Sequence, residues 1–318
     1  MRDLTAALLL ALCLASTMFR VPIVSTSVKG DRPKTWIVPI DFPNITSAIQ
    51  SPDVLDGDTI LVLRNPNDPE GAYREGTIGV VKSLNIIADN RWGRVIINGT
   101  WSVRLAAIRI DADNVTIKGF IITNAYVGIS IGEAANCLID SNRILQCWIG
   151  VQITGYASNC MISNNIIELN KFGIKLVIGD PAREDIYGCY QPIYMPTPSV
   201  PKCIEIKSNL IRENDVGIAL GGGEAIIINE NRIDENNCGI GIGCCGFVIE
   251  NNILKYNWLG IEGYGCGFFL NNTLVGNRFC FSFPGHPLSK PVMDVTNKVN
   301  NRSIVYLADI ARKVFIPR

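Results

Sequence analysis

The chain of 318 residues is short of histidine, of charge and of long uniform apolar runs. Its single histidine is His286, which makes imidazole-rich metal sites and His-dependent catalytic triads poor readings. Charged residues make up only 18%, and 29 basic side chains balance 29 acidic ones. Without a basic excess there is no electrostatic footprint for nucleic acid, whose binding displaces counterions from phosphates. None of the eleven cysteines forms a Cys-x-x-Cys pair, which lowers the expectation of zinc. Against these shortages stands 47% hydrophobic residues, enough to exclude general disorder. The length allows one large domain or two ordinary ones, each with a substantial core.

The first residues read as a targeting signal. After Met1-Arg2-Asp3 comes an apolar run, Leu4 to Ala15, then Ser16-Thr17 and Ser25-Thr26-Ser27. That run is too short to cross a bilayer, which takes ~20 residues, and it suits a signal-peptide core over residues 1–27. An uncleaved anchor is the alternative, since Phe19 to Val24 is apolar apart from Arg20. No second long apolar segment follows, so no further membrane span is expected. Removing Arg2, Arg20 and Asp3 leaves 29 − 2 = 27 basic against 29 − 1 = 28 acidic side chains, and the loss of Cys13 leaves ten cysteines. An exported chain of that kind permits disulfides. Five Asn-x-Ser/Thr sequons (Asn44, Asn98, Asn114, Asn271, Asn301) are open to glycosylation in a host that performs it, although an Asn-rich chain yields as many by chance.

What the chain does have is a repeat. Asn142, Asn165, Asn209, Asn231, Asn252 and Asn272 each start one pattern. An apolar residue stands three before each (Ile139, Ile162, Ile206, Ile228, Ile249, Phe269) and another two after. Five after, a second asparagine recurs (Asn170, Asn214, Asn236, Asn257, Asn277), with Cys147 in its place once. Eight after, glycine recurs at 150, 173, 217, 239 and 260. The intervals are 23, 44, 22, 21 and 20 residues, the 44 being read as two coils with one irregular. Period-two alternation in short runs predicts strands rather than helices, with Asn and Gly in turns that tolerate left-handed backbone. A unit this small cannot bury its own apolar face and must stack on copies of itself. Stacked at the ~4.8 Å strand spacing, the first set of asparagines forms a hydrogen-bonded ladder. The expected fold is all-β: a parallel β-helix of about nine or ten coils over residues 35–283. Residues 284–318 form a C-terminal tail or cap.

The pattern resembles the right-handed parallel β-helix repeats of the pectate-lyase-like superfamily, and more closely NosD-type proteins, described as periplasmic copper-binding or as carbohydrate-binding and sugar-hydrolysis repeats. The residues that carry this are the entry segment from Trp36-Ile37-Val38-Pro39 to Gly57-Asp58-Thr59-Ile60, the stretch Lys82 to Ile87, and Asp294 to Asn300 with Ile304 to Leu307. The resemblance implies a short N-terminal capping helix at Thr46 to Gln50. In such proteins the last of these segments leads into further coils, whereas here the chain stops at Ile316-Pro317-Arg318.

Enzymes of that superfamily keep charged residues on the outer face of one strand ladder, so the outward positions were read for chemistry. Two before each Asn come Asp140, Ser163, Lys207, Asn229, Glu250 and Leu270; two after each Gly come Gln152, Lys175, Ala219, Gly241 and Glu262. Asp140 and Glu250, about five coils and ~24 Å apart, cannot cooperate as an acid–base pair. The best charged cluster is Glu213, Asp215, Asp234 and Glu235 with Arg212 and Arg232. It is a weak metal site; no cofactor is expected, with calcium and copper left open. Cys137 and Cys160 hold one inward position, either as small hydrophobes or as a disulfide; Cys189, Cys203, Cys245 and Cys266 are further candidates for pairing. The Pro-rich loop 177–202 carries Tyr187, Tyr190 and Tyr194, either stacking on sugar rings or packing the loop against the scaffold. Finally, Leu138, Met161, Ile227, Val248 and Phe268 make an apolar outward stripe, interrupted by Glu205, that calls for a covering segment or a partner.

The functional expectation is an exported surface or periplasm-like binding and structural module directed at glycans, with Tyr187, Tyr190, Tyr194, Arg212, Arg232 and Asp234 as candidate ligand contacts. The rivals are a polysaccharide lyase or hydrolase acting on the outer face, and a subunit of a cell-surface assembly as homo-oligomer or with another surface protein.

Overall fold

In the computed structural model the described residues are 32–102, 105–177, 200–244, 246–283, 291–307 and 313–315. The chain winds through three parallel sheets, each coil giving one short strand to each. Sheet A has eleven strands from Thr35–Val38 to Val292–Met293, sheet B eleven from Ala72–Tyr73 to Arg302–Ser303, and sheet C nine from Ile78–Val80 to Phe279–Ser282. One coil is typical: Leu138–Asp140 in sheet A, Arg143–Leu145 in B and Ile149–Ile153 in C. Three residues give a strand only one inward side chain, so each B strand buries a single aliphatic (Ile144, Ile167, Ile211, Ile233, Leu254, Leu274), all fully buried. Because equivalent residues pair coil to coil, as Ile139, Ile162, Ile206, Ile228, Ile249 and Phe269 do, the core is a set of aliphatic stacks. The solenoid makes about eleven turns, more than the nine or ten expected, because partial coils at both ends pair onto the stack.

Two asparagine ladders pin this stack. Asn165 donates its backbone N–H to Asn209 Oδ1 at 2.9 Å and its Nδ2 to the same oxygen at 3.0 Å, while also donating to Ile139 O. The pattern runs from Asn142 through Asn165, Asn209, Asn231, Asn252 and Asn272, and ends on Asn297, which sequence spacing did not include. The second asparagine set forms its own ladder, Asn170–Asn214–Asn236–Asn257–Asn277. Cys147 joins it through its backbone N–H to Asn170 Oδ1. Every rung is buried, so each amide satisfies its own hydrogen-bonding groups and a backbone N–H that a sharp corner would strand.

The ladder settles the 44-residue interval. Asn165 bonds directly to Asn209, and Met161–Ser163 pairs with Glu205–Lys207. There is no irregular coil between them; the interval is one coil carrying a long insertion. Asp140 and Glu250 are accordingly four strand steps apart rather than five.

The corners also differ in their chemistry from expectation. The left-handed residues are those just before the ladder asparagines: Ser141, Asn164, Ser208, Glu230 and Asn251 at the A-to-B corner, and Gln146, Leu169, Glu213, Glu235 and Tyr256 at the B-to-C corner. The recurrent glycines do something else. A Cβ on Gly128, Gly150, Gly173, Gly217, Gly239 or Gly260 would lie 2.5–2.7 Å from the carbonyl oxygen of the next coil. Glycine is there because successive backbones approach too closely for any side chain.

At the N-terminal end the helix Ile45–Gln50 buries Ile45, Ala48 and Ile49 against the first coils. Asn44 caps it by accepting from Ser47 N–H, and Glu75 accepts from the N–H groups of Ile45 and Thr46. At the other end Arg302–Ser303 returns antiparallel on Lys298–Val299, so the last parallel strand of sheet B has a partner on its outer edge.

Asn231→Leu is expected to strand the Asn209 N–H and to remove the donor to Ile206 O. At ~1–3 kcal/mol for each buried group left unpaired, urea unfolding should show a loss of about 3 kcal/mol. Gly173→Ala, whose added carbon would meet Gly217 O, should cost about 1–3 kcal/mol by overpacking in the same assay.

Candidate functional site

Sheet B presents two outward columns. Three after each ladder Asn the column reads Glu168, Arg212, Asp234, Lys255, alternating in sign from coil to coil. Glu168 is 2% exposed, yet it is an ion: Arg143 Nε donates to Oε1 at 2.7 Å and Arg212 Nη2 lies 2.7 Å from Oε2. Burial by itself raises its pKa, but the hydrogen bonds and charges of Arg143 and Arg212 outweigh that and hold it below the usual glutamate range. Asp234 is also buried and is bonded by Arg232 from its own strand, while its Oδ1 is buried without a partner among the described residues. Arg212, Arg232 and Asp234, expected as ligand contacts, are thus brought onto one face but are engaged in a structural charge zipper. Glu168 was missed, although its place in the column was legible from the repeat. The cluster of Glu213, Asp215, Asp234 and Glu235 is dispersed over a sheet face and two different corner positions. Among the described residues no three His, Cys, Asp or Glu side chains are grouped to hold a metal ion.

Beside the zipper, along the B-to-C corner, runs an open groove of about 740 Å³. Its lining combines the left-handed corner residues Asn124, Gln146, Leu169 and Glu213 with Trp148, Lys171 and Asp215 from two positions further on, and Trp101. Trp148 stacks on Tyr126 at 6.1 Å and 10°, and Lys171 Nζ covers it at 4.8 Å, so both of its ring faces are occupied. Trp101 is 57% exposed and Leu169 47%. Leu169, at φ 58, shares its left-handed conformation with Gln146 and Glu213 at φ 55, because the stack imposes the same corner on each coil. Lys171 pairs with Asp215 at 3.3 Å, Asn237 Nδ2 donates to Asp215 at 3.2 Å, and Arg212 Nε lies 3.6 Å from Glu213. This column was also readable: six after each ladder Asn stand Trp148, Lys171, Asp215, Asn237, Trp258 and Arg278.

The remaining expectations fall as follows. Tyr187, Tyr190, Tyr194, Cys189 and Cys245, like residues 1–27, lie outside the described residues. Cys137 and Cys160 are buried neighbours in adjacent coils, each thiol donating to backbone carbonyls; Cys203 is exposed and Cys266 half-buried. Leu138, Met161, Glu205, Ile227, Val248 and Phe268 do form one column; Val248 is buried and the others half-exposed. A longer apolar column lies on the outside of sheet C, from Ala106, Val127 and Ile149 (buried) through Phe172, Val216, Cys238 and Leu259 to exposed Phe279. Gln152 and Lys175, read from the sequence as outward positions, are buried beside it.

Asp140 is a further buried carboxylate outside the core. It accepts from Lys118 Nζ at 2.9 Å, Ser141 Oγ at 2.9 Å, Ser163 Oγ at 3.0 Å and Asn164 Nδ2 at 2.8 Å. Burial pushes its pKa up, but these four donors more than reverse that and lower it to about 2. A depressed carboxyl stabilises the fold above its unfolded pKa and loses that stabilisation as pH falls through the folded value. Asp140→Asn should therefore cost about 2 kcal/mol at pH 7, and the gap from the native chain should narrow between about pH 5 and pH 1 in urea titrations.

Comparison with known proteins places this geometry. A family described as "Right handed beta helix region" matches residues 86–184 and 182–286. A stretch of 108 residues, 34% of this chain, is 34% identical to a cell surface glycoprotein of Methanothermus fervidus and covers only 16% of that protein's length. Among solved structures the chain is similar to an alginate lyase from Paenibacillus sp. str. FPU-7, with 12% identity, 83% of this chain and 99% of that one covered, and TM-score 0.53. It is similar also to pectate lyase Pel9A, with 14% identity, 84% and 80% covered, and TM-score 0.55. Identities this low carry the fold alone. The family match runs through well over half of the sequence and coincides with the stacked coils, and the chain belongs to the right-handed β-helix family.

Proposed function

We propose that this protein is a glycan-binding structural module exported to the cell surface, with residues 1–27 as its signal and the B-to-C groove as its binding site. The observation that carries the reading is the groove itself: an exposed tryptophan, an exposed leucine, and amide and carboxylate groups set on a rigid stack. Sugar rings present apolar faces and hydroxyl rims, and a site that mixes an aromatic surface with hydrogen-bonding groups answers both. Similarity to a stretch of a cell surface glycoprotein supports the location. The buried carboxylates Glu168 and Asp140 are held as ions by Arg143, Arg212 and Lys118, so neither is poised as the general acid that glycoside hydrolysis needs. A second reading, a subunit of a surface assembly, is favoured by the half-exposed stripe of Leu138, Met161, Ile227 and Phe268.

Affinity electrophoresis through gels containing a panel of neutral and acidic polysaccharides tests the first reading. The native chain should be retarded by at least one of them without producing new reducing ends or unsaturated products. Trp101→Ala should weaken that retardation at least about tenfold, or ~1.4 kcal/mol.

A further inference from the structure

We infer that the groove takes uncharged glycans and rejects polyuronates, an inference that rests on the glycan-binding reading above. Among the described residues the lining holds one cation, Lys171, against two carboxylates, Glu213 and Asp215. That cation is already committed: it bonds Asp215 at 3.3 Å and lies over the Trp148 ring at 4.8 Å. Arg212, next in sequence to the lining residue Glu213, is divided between Glu168 at 2.7 Å and Glu213 at 3.6 Å. A polyuronate would bring acceptor-only carboxylates against acceptor-only carboxylates, with no uncommitted cation among the described residues of the lining to receive them. Like charges brought together at such distances disfavour binding, and they do so most at low salt.

The same groups suit neutral sugar hydroxyls. A hydroxyl donates as well as accepts, so Glu213 and Asp215 can each receive hydrogen bonds, while the amides of Asn124 and Gln146 offer both functions. Three side chains at this corner project from left-handed positions in neighbouring coils, so the acceptors Gln146 and Glu213 flank the apolar Leu169 along the stack axis. That arrangement matches an extended chain laid along the solenoid rather than a single sugar.

The test measures affinity for a neutral xylo- or gluco-oligosaccharide panel and for oligogalacturonates of matched length, at low and high salt. It uses the full chain, Glu213→Gln, and the double variant Glu213→Gln with Asp215→Asn. Both side chains are exposed, and thermal melting checks that the variants remain folded. The native chain should bind a neutral glycan with little salt dependence and oligogalacturonate at least tenfold more weakly. In the double variant, which releases Lys171 from its partner, the ratio of oligogalacturonate to neutral affinity should rise at least tenfold, with Glu213→Gln in between. Equal or tighter oligogalacturonate binding by the native chain, or an unchanged ratio in the double variant, would overturn the charge inference while leaving the groove a glycan site. Binding of no glycan by the native chain would overturn the glycan reading itself.

Discussion

Everything in this molecule depends on one interaction: a buried asparagine whose amide oxygen takes both the backbone N–H and the side-chain Nδ2 of its counterpart in the preceding coil. A corner between two three-residue strands leaves backbone groups pointing into the wall of the solenoid, where water cannot reach them. The ladder supplies their partners, and the geometry repeats only if successive coils stay in register. Register then dictates the rest. It stacks isoleucine on isoleucine in the core, forces glycine where backbones nearly touch, and lines up the outward side chains into columns whose character is set by one sequence offset each. The column of Glu168, Arg212 and Asp234, with its two buried carboxylates, and the groove along Gln146, Leu169 and Glu213 are neighbouring columns of this kind.

The repeat made the fold legible, because a hydrophobic core built by stacking needs the same residue type at the same offset in each coil. Ile139 to Phe269 and Asn142 to Asn272 could be placed before any coordinates. The interval between Asn165 and Asn209 could not be read the same way. A loop insertion and an irregular coil give the same spacing, and only the direct Asn165–Asn209 bond separates them. The roles of glycine and of the left-handed residues were exchanged for a related reason. Close approach of backbones leaves the same signature in sequence as a turn, whereas Leu169, Glu213 and Tyr256 in left-handed corners defy residue preference because the tertiary stack imposes the corner.

The candidate site was less legible. Tyrosines in a proline-rich loop attract notice because they break the repeat, while Trp148, Lys171 and Asp215 sit within it and look like ordinary corner residues. Their significance comes from adjacency between coils, as when Lys171 bridges Trp148 and Asp215, and adjacency of that kind is read by following a column rather than a segment. Glu168 shows the same thing for charge. One carboxylate in sequence becomes the centre of an arginine pair through the coils before and after it.

Backbone hydrogen exchange gives the most direct measurement of the claim that the asparagine ladders hold the coils in register. The amides of Asn165, Asn209, Asn231 and Asn252 donate to side-chain oxygens rather than to strand carbonyls. If the ladder is the organising element, they should exchange as slowly as the central sheet amides of Ile206 and Ile228, through global unfolding alone. Rapid exchange at these four amides, with the sheet amides still protected, would contradict the account.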